Sequence, residues 1–131
     1  MQKYLCLFYF DDSSFAGMTP DEDKALTDAT IEEDRQLREE SRLLVAQPLQ
    51  GPETAVNIRI RQDRVMRTDG PYIESKEWLG GIMLILAEDM DEAIRIASVG
   101  EIARRARIEI RPTLEQTHSV TSEARVEAID G

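Results

Sequence analysis

The stretch QKYLCLFYF, residues 2–10, decides the fold because it reads as a β-strand that is apolar on both of its faces. Successive side chains of a strand point to opposite faces, and both sets here are mainly apolar: Tyr4, Cys6, Phe8 and Phe10 on one side, and Lys3, Leu5, Leu7 and Tyr9 on the other. A strand of this kind usually lies in the centre of a sheet, covered on both faces. The stretch GIMLILAE, residues 81–88, has the same character. The sequence therefore predicts a sheet with these two strands at its centre.

The first helix is predicted by its start signal. Thr19 is a preferred N-cap residue, Pro20 follows at the first helical position, and Glu22 stands at the third position, as in a capping box. The helix should run to about residue 41, and its apolar stripe is narrow, with Leu26, Ala29 and Leu37 and with Thr30 as a further candidate. Residues 21–40 carry nine carboxylates against three basic side chains, a composition typical of a solvated helix face.

The second helix is predicted to begin at Asp89, with Glu92 completing a similar capping signal. Gly100 falls inside this helical pattern, where glycine lowers helix stability and can bend or break the helix. The predicted buried side of the helix contains Ile94, Ala97, Ile102 and Ala106.

The remaining strands are shorter. RLLVAQPL ends at Pro48, and TAVNIRI and RVMRT alternate between apolar and polar residues on either side of a tight reversal at residues 62–63. This second pair reads as a hairpin, although Gln-Asp is not the usual turn dipeptide. RIEIRP is the last strand, with Ile108 and Ile110 pointing inward.

The order of elements is β-α-β, a hairpin, and β-α-β again. Without the hairpin this is the split arrangement of a ferredoxin-like α+β fold, an antiparallel sheet with two helices on one face. The other face would expose apolar side chains, which monomers rarely do over large areas. We therefore expect a homodimer with a cleft between each sheet face and its mate. Residues 1–113 should form the domain, and residues 114–131 a polar tail.

Composition limits the partners. The formal net charge of −10 argues against direct binding to nucleic acid or to an anionic membrane. Cys6 is the only cysteine, so no intrachain disulfide can form, and the N-terminus lacks the pattern of a signal peptide. The apolar runs are too short to cross a membrane. These features favour a cytoplasmic protein. We see no metal-ligand spacing and no nucleotide-binding glycine motif, and expect neither a metal nor another cofactor.

Six segments resemble, in this order, the DGPF or YCII-related domain family: KYLCLFYF, LVAQPL, TAVNIRI, TDGPYIESKEWLGG, DEAIRIA and IEIRP. The resemblance covers residues 2–113, and its specific part is the run TDGPYIESKEWLGG, residues 68–81. It implies a ferredoxin-like domain that pairs into a dimeric α/β barrel. Some members of the family are encoded with, or fused to, alternative sigma factors, which implies a regulatory or sensing role. Others are suspected of enzymatic activity.

The chain departs from the family pattern at informative places. Tyr72 stands where Phe is usual, and Ser41 stands where a glycine commonly ends the first helix. One branch of the family carries a His-Asp pair that is thought to be catalytic. His118, the sole histidine here, lies beyond the matched region, so the resemblance does not carry that pair over.

The run Asp69-Gly70-Pro71-Tyr72 allows three interpretations. It is a turn that aims Tyr72 at a subunit interface, part of a ligand pocket, or the site of a catalytic Asp69. The turn is the simplest of the three.

Charged residues near this run supply further candidates. Glu74, Lys76 and Glu77 either clamp a polar ligand or pair with arginines across the sheet. Arg59 and Arg61 share one strand face, and the last strand presents Arg107, Glu109 and Arg111 together. Arg111 is the arginine most suited to an anion site, because it lies inside the family motif next to a proline.

Three functions follow as hypotheses. The first is a dimeric small-molecule-binding or regulatory domain whose ligand-pocket candidates are Asp69, Gly70, Pro71, Tyr72, Lys76 and Arg111. The alternative is a cofactor-free enzyme with Asp69 or Glu74 as general base and an arginine as charge stabiliser. The third is a structural assembly unit. Cys6 is expected to be a buried apolar residue, and Trp78 a packing anchor at the dimer seam.

Overall fold

The computed structural model describes residues 1–126 of the 131-residue chain. The strands are β1 (Gln2–Phe10), β2 (Leu43–Pro48), β3 (Val56–Arg61), β4 (Arg64–Asp69), β5 (Trp78–Ala87) and β6 (Arg107–Pro112). The α-helices are α1 (Pro20–Glu39) and α2 (Met90–Ser98), and short 3-10 helices span Pro52–Thr54 and Glu101–Arg105.

The main sheet has the strand order β2-β5-β1-β6, and all of its neighbouring strands are antiparallel. The two strands that are apolar on both faces, β1 and β5, are the central ones, as predicted. The pair β3-β4 forms a separate two-stranded sheet. The predicted ferredoxin-like α+β architecture with an inserted hairpin is therefore confirmed.

The core lies between the sheet and the helices. Its buried members come from one face of β1, one face of β5 and the inner side of α2: Tyr4, Cys6, Phe8, Phe10, Met83, Ile85, Ala87, Ala93 and Ala97. Cys6 stands opposite Met83 on β5 and opposite Ile110 on β6, and it is fully buried. The face of β1 that carries Tyr4, Cys6, Phe8 and Phe10 is therefore the one that packs against the helices.

Helix α1 begins and ends where the sequence predicts, within about two residues. The side chain of Thr19 accepts a hydrogen bond from the backbone N–H of Glu22 at 3.2 Å. At the C-terminus, the N–H of Ser41 bonds to Arg38 O at 3.0 Å, and the next N–H bonds to Leu37 O at 2.9 Å. Ser41 itself has a φ of 60°, so it occupies the left-handed position that commonly takes glycine.

Helix α2 also starts as predicted but ends earlier. The N–H of Glu92 bonds to the Asp89 side chain at 2.9 Å, and the Glu92 carboxylate accepts from the N–H of Glu88 at 3.1 Å. The helix stops at Ser98, because Gly100 caps the 3-10 helix that follows. Ile94 was predicted to be buried, and this is wrong: it is 47% exposed.

The sheet face opposite the helices is apolar and carries no helix in the described residues. Because the register places Leu5 opposite Leu84 and Leu7 opposite Ile82, aliphatic side chains of both central strands meet there. They are half-buried by their neighbours within the chain. We call this surface the open face. Its margin on β6 presents Arg107, Glu109 and Arg111.

The hairpin β3-β4 projects from the domain with its apolar side chains uncovered. Ile58, Ile60 and Val65 are each more than 60% exposed. The reversal at Gln62 and Asp63 has positive φ angles of 51° and 62°, which is the geometry of a two-residue hairpin turn. The predicted reversal is therefore confirmed.

The predicted polar tail, residues 114–131, is described as far as residue 126. It contains an isolated bridge between Thr117 and Ala124, and the ring of His118 accepts N–H bonds from Val120 and Thr121. Residues 127–131 lie outside the described part, so the boundary at residue 113 stays a prediction.

Candidate functional site

A large cavity lies between α1 and the helix-covered face of the sheet. Its volume is about 710 Å³. Phe8, Phe10 and Met83 form its floor, and Trp78 lines it at the start of β5. Pockets that hold drug-sized ligands commonly occupy 300–1,000 Å³ and are mainly apolar. We call this space the α1 cavity.

The cavity exists because α1 does not close onto the sheet. None of its 20 residues is buried, and its main contacts are with β2 and the 3-10 helix Glu101–Arg105. The side of α1 that faces the sheet mixes Leu26 and Leu37 with the polar Thr30 and Asp34. Polar side chains at these positions cannot pack into the apolar floor, so a gap remains.

The α1 wall supplies the charge of the cavity. Asp23, Glu33 and Asp34 all line it, and none of their carboxylates has a hydrogen bond or an ion pair within residues 1–126. Burial and, second, the charge of neighbouring Glu33 raise the pKa of Asp34 above its ordinary value. Glu33 reaches across to Gly100, where a Cβ atom would come within 2.8 Å of its Oε2. The cavity is thus apolar below and acidic along α1.

Gly80 and Gly81 shape the sheet side of the cavity. The register of β1 against β5 shifts between Phe8 and Tyr9, which leaves Gly80 as an extra residue in β5. The ring of Phe10 lies directly over Gly80, so a side chain there would overlap the ring. The shift also brings Trp78 opposite Phe10, on the core side. Trp78 therefore lies on the face opposite to the one expected for an anchor at a sheet-to-sheet seam.

The run Asp69 to Tyr72 is a turn at the base of the hairpin, outside the α1 cavity. Gly70 has a φ of +88°, its N–H bonds to Ala55 O at 2.7 Å, and its carbonyl accepts from Asn57 Nδ2 at 2.8 Å. Pro71 follows it and is exposed. These bonds account for the glycine and for the turn.

The side chains of this turn form local contacts on the surface. Asp69 pairs with Arg67 at 2.9 Å, and its side chain is 76% exposed. The Tyr72 hydroxyl accepts a bond from Arg59 Nη2 at 3.4 Å, and the guanidinium lies 5.7 Å from the ring centroid. The structure therefore groups the candidates of this run with hairpin arginines and not with the cavity.

Of the charged candidates Glu74, Lys76 and Glu77, the last has a defined partner. Its carboxylate accepts two bonds from Arg107 Nε, at 3.0 and 3.2 Å, and that guanidinium lies 4.4 Å from the Tyr9 ring centroid. The predicted pairing of this cluster with arginines across the sheet is confirmed for Glu77. Glu74 and Lys76 are exposed, and Arg111 lies on the open face.

A second, polar recess of about 610 Å³ adjoins this ion pair. Asp11 lies at its edge, and hydrogen bonds from the Ser13 side chain and backbone hold the pKa of that carboxylate below its ordinary value. Arg105 Nη1 donates to Ser14 O at 2.9 Å, which ties the loop after β1 to the 3-10 helix. With charges of both signs in mutual contact, this recess reads as a structural network.

Other sequence candidates have structural roles. Burial raises the pKa of the Cys6 thiol to about 11, so the reactive thiolate is disfavoured. Within residues 1–126, no group of three or more His, Cys, Asp or Glu side chains could hold a metal ion. Neither α-helix in that part of the chain has the length and apolarity needed to cross a bilayer.

Sequence reasoning placed Leu26 and Leu37 on the contact stripe of α1, with Thr30 as a further candidate, but it missed the acidic cavity residues such as Asp34, because it treated the carboxylates of residues 21–40 as a solvated face. A signal was present in their spacing. Leu26, Thr30, Asp34 and Leu37 recur at helical intervals and therefore share one side of α1. Polar residues within a core-facing stripe indicate an incomplete contact with the sheet.

A family model described as the YCII-related domain matches residues 2–116. A comparison with curated proteins finds no match. The matched region runs from the start of β1 to beyond the end of β6, so it contains the whole sheet, both α-helices and the α1 cavity. Because the match spans most of the 131 residues, the chain belongs to the YCII-related domain family.

Proposed function

We propose that this chain is a small-molecule-binding domain that takes its ligand in the α1 cavity. The observation that carries the proposal is the cavity itself, about 710 Å³ with an aromatic and aliphatic floor. Protein interiors are normally close-packed, with few voids larger than a water molecule. A space of this size beside Phe8 and Trp78 is therefore better explained as a site than as a packing defect.

The position of α1 supports the same function. This helix has no buried side chain, and its main contacts are with β2 and the 3-10 helix Glu101–Arg105. An apolar ligand under it would contact both the helix and the floor. Binding should then stabilise the folded chain by mass action.

The test uses phenylbutanol as a neutral, apolar probe and records amide chemical shifts of the full chain. Shifts are expected at Gly80, Gly81 and Ile96, which line the cavity, and not at Ile60 on the hairpin. Saturable binding confined to the cavity residues is the expected result. Shifts spread over the open face, or none at all, would contradict the proposal.

A pair of tryptophan variants sharpens this test. Thr30→Trp places an indole in the cavity from α1, whereas Ala25→Trp places the same residue on the exposed outer side of that helix. Thr30→Trp should abolish probe binding, and Ala25→Trp should leave it unchanged. Equal binding by both variants would locate the probe elsewhere.

We further propose that the chain is a homodimer joined through the open face. Support comes from Leu5, Leu7 and Leu84, which make a continuous apolar surface on the side that carries no helix in the described residues. Burying such a surface against a second copy removes it from water. The pairing would create a cleft near Arg111, where the sequence predicts a ligand contact.

The dimer is tested by light scattering after size exclusion. Wild type should have twice the mass of one chain. Val45→Glu puts a charge on the open face at a position that is already 37% exposed, and it should yield single chains. Val120→Glu, in the tail and 83% exposed, is the matched control and should not. A monomeric wild type would refute the dimer.

Three further proposals concern location, regulation and catalysis. The cytoplasmic location is supported by Cys6, which is a free and buried cysteine. A regulatory role, through a ligand that stabilises the domain, is implied by the family resemblance. The enzymatic alternative with Asp69 or Glu74 as base stays a prediction. In the single chain both carboxylates are exposed, which is a poor setting for a base tuned by its environment.

A further inference from the structure

We infer that the ligand of the α1 cavity is an organic cation, an amine or ammonium group attached to an apolar body. This inference rests on the proposed function, because it assigns a ligand class to the same cavity. It depends on how charge is distributed over the cavity walls.

The side chains around the cavity carry charge of one sign only. Asp23, Glu33, Asp34 and Glu40 line it, and no lysine, arginine or histidine does so within residues 1–126. Glu40 accepts a bond from Gln36 at 3.4 Å, while the other three carboxylates have no hydrogen bond or ion pair in that part of the chain. A cationic group at this wall would meet carboxylates that no cation of the described residues neutralises.

These carboxylates lie on one wall and the apolar surface on the other. Asp34 and Glu33 project from α1, and Phe8, Phe10 and Trp78 belong to the sheet. A ligand that spans the cavity must therefore be charged at one end and apolar at the other. Aromatic rings also attract an ammonium group that lies over their faces, so the floor does not oppose the cation.

Other ligand classes fit less well. An anionic ligand would face uncompensated like charge along α1. The carboxylates do not form a group suited to a metal ion within the described residues, and aromatic and aliphatic carbon offers no ligand to a hard cation. A neutral apolar ligand fits the floor but leaves the half-buried Asp34 without a partner.

The experiment compares three probes of the same shape and different charge: phenylbutylamine, phenylbutanol and phenylbutyric acid. At neutral pH they are cationic, neutral and anionic. Affinities for the wild-type chain are measured by calorimetry at low salt. We expect the amine to bind best, the alcohol more weakly, and the acid weakest of the three. The preference for the amine should fall as salt is added.

Two variants and one control test whether the carboxylates of α1 cause the preference for the amine. Glu33→Gln and Asp34→Asn should each weaken amine binding roughly fivefold and leave alcohol binding unchanged. Glu39→Gln removes the same charge from α1 at a residue that does not line the cavity, and should change neither affinity. If a variant does not fold, the affinities of the three probes for the wild-type chain still test the organic-cation inference.

The outcomes separate the two proposals. Equal affinity for all three probes, or tighter binding of the acid, would overturn the organic-cation inference and leave the cavity as a binding site. Loss of amine binding in Glu39→Gln to the same extent as in Asp34→Asn would also overturn it, because the effect would then be one of net charge. No binding of any probe would overturn the proposed function and the inference together.

Discussion

Replacing Gly80 with alanine should destabilise the fold through a single steric contact. The φ angle of Gly80 is not positive, so the backbone there suits any residue. An added Cβ atom would overlap Cδ2 and Cε2 of the Phe10 ring, well inside the 3.0 Å that real Cβ contacts keep. Phe10 is 8% exposed and meets Phe15 edge-on at 4.9 Å between centroids. The Phe10 ring must therefore move, and in moving it would lose its packing contact with Phe15.

The size of the destabilisation follows from the strain and the lost contacts of the Phe10 ring. Forcing extra carbon into a packed core costs about 1–3 kcal/mol, and an off-rotamer ring accounts for about 0.5–1.5 kcal/mol of such a cost. The α1 cavity gives the ring space to enter, so the lower half of this range is expected. For a chain of this size, about 1–2 kcal/mol lowers Tm by roughly 3–8 °C. The displaced ring would also narrow the cavity and weaken phenylbutanol binding.

Urea unfolding of four variants tests this reasoning. Gly51→Ala is the matched control, because a Cβ there meets only the flexible Glu53 side chain, and it should cost little. Phe10→Leu removes the ring, so Gly80→Ala should cost much less in that background than in wild type. If the cost of Gly80→Ala is the same in both backgrounds, the bulge and not the ring requires glycine. A cost below about 0.5 kcal/mol in wild type would refute the steric argument outright.

Three further predictions concern single sites. Ser41→Gly should stabilise the chain by about 0.5–1 kcal/mol in urea unfolding, because relief of the left-handed backbone strain exceeds the cost of the greater conformational entropy of the unfolded chain. The control Ser41→Ala keeps the Cβ atom and should show no gain. Burial raises the pKa of the Cys6 thiol from 9.0 to about 11, so it should not react with a maleimide at pH 8 until urea unfolds the chain, and rapid labelling of the folded chain would contradict this. The contribution of the buried thiol to the free energy of unfolding should be complete below pH 9 and decline as pH rises towards 11. In urea unfolding, Glu92→Gln should cost about 1 kcal/mol, because the amide keeps an oxygen that can accept the Glu88 N–H bond but loses the ion pair with Arg42 at 2.8 Å, whereas Asp91→Asn, exposed in the same turn, should cost much less.

The features that the sequence predicted correctly are those that depend on local rules or on burial from both sides. Apolar residues on both faces of β1 and β5 can be satisfied only in the middle of a layered structure, and this places the two strands at the centre of the sheet. Thr19 and Asp89 act within their own first turns, so their caps could be predicted without knowledge of tertiary contacts.

The features that were missed depend on distances between elements. Periodicity places Asp34 and Thr30 on the inner side of α1, but it does not say how far that side stands from the sheet. Ile94 was predicted to be buried from its helical spacing. It is 47% exposed because Ala93 and Ala97 provide the contact with the core. Packing distance is decided by side chains of several elements together, which no single stretch of sequence contains.

The run TDGPYIESKEWLGG is best understood from its last residues. In a strand without a bulge, the alternation that buries Met83 would also bury Leu79 and turn Trp78 to the open face. The extra residue, Gly80, reverses the alternation beyond it, so Trp78 stands opposite Phe10 and lines the α1 cavity. Glycine is needed at this position because the Phe10 ring occupies the place of a side chain. Gly80 therefore has a structural explanation that also concerns the site, since this extra residue determines which face of the sheet receives the only tryptophan.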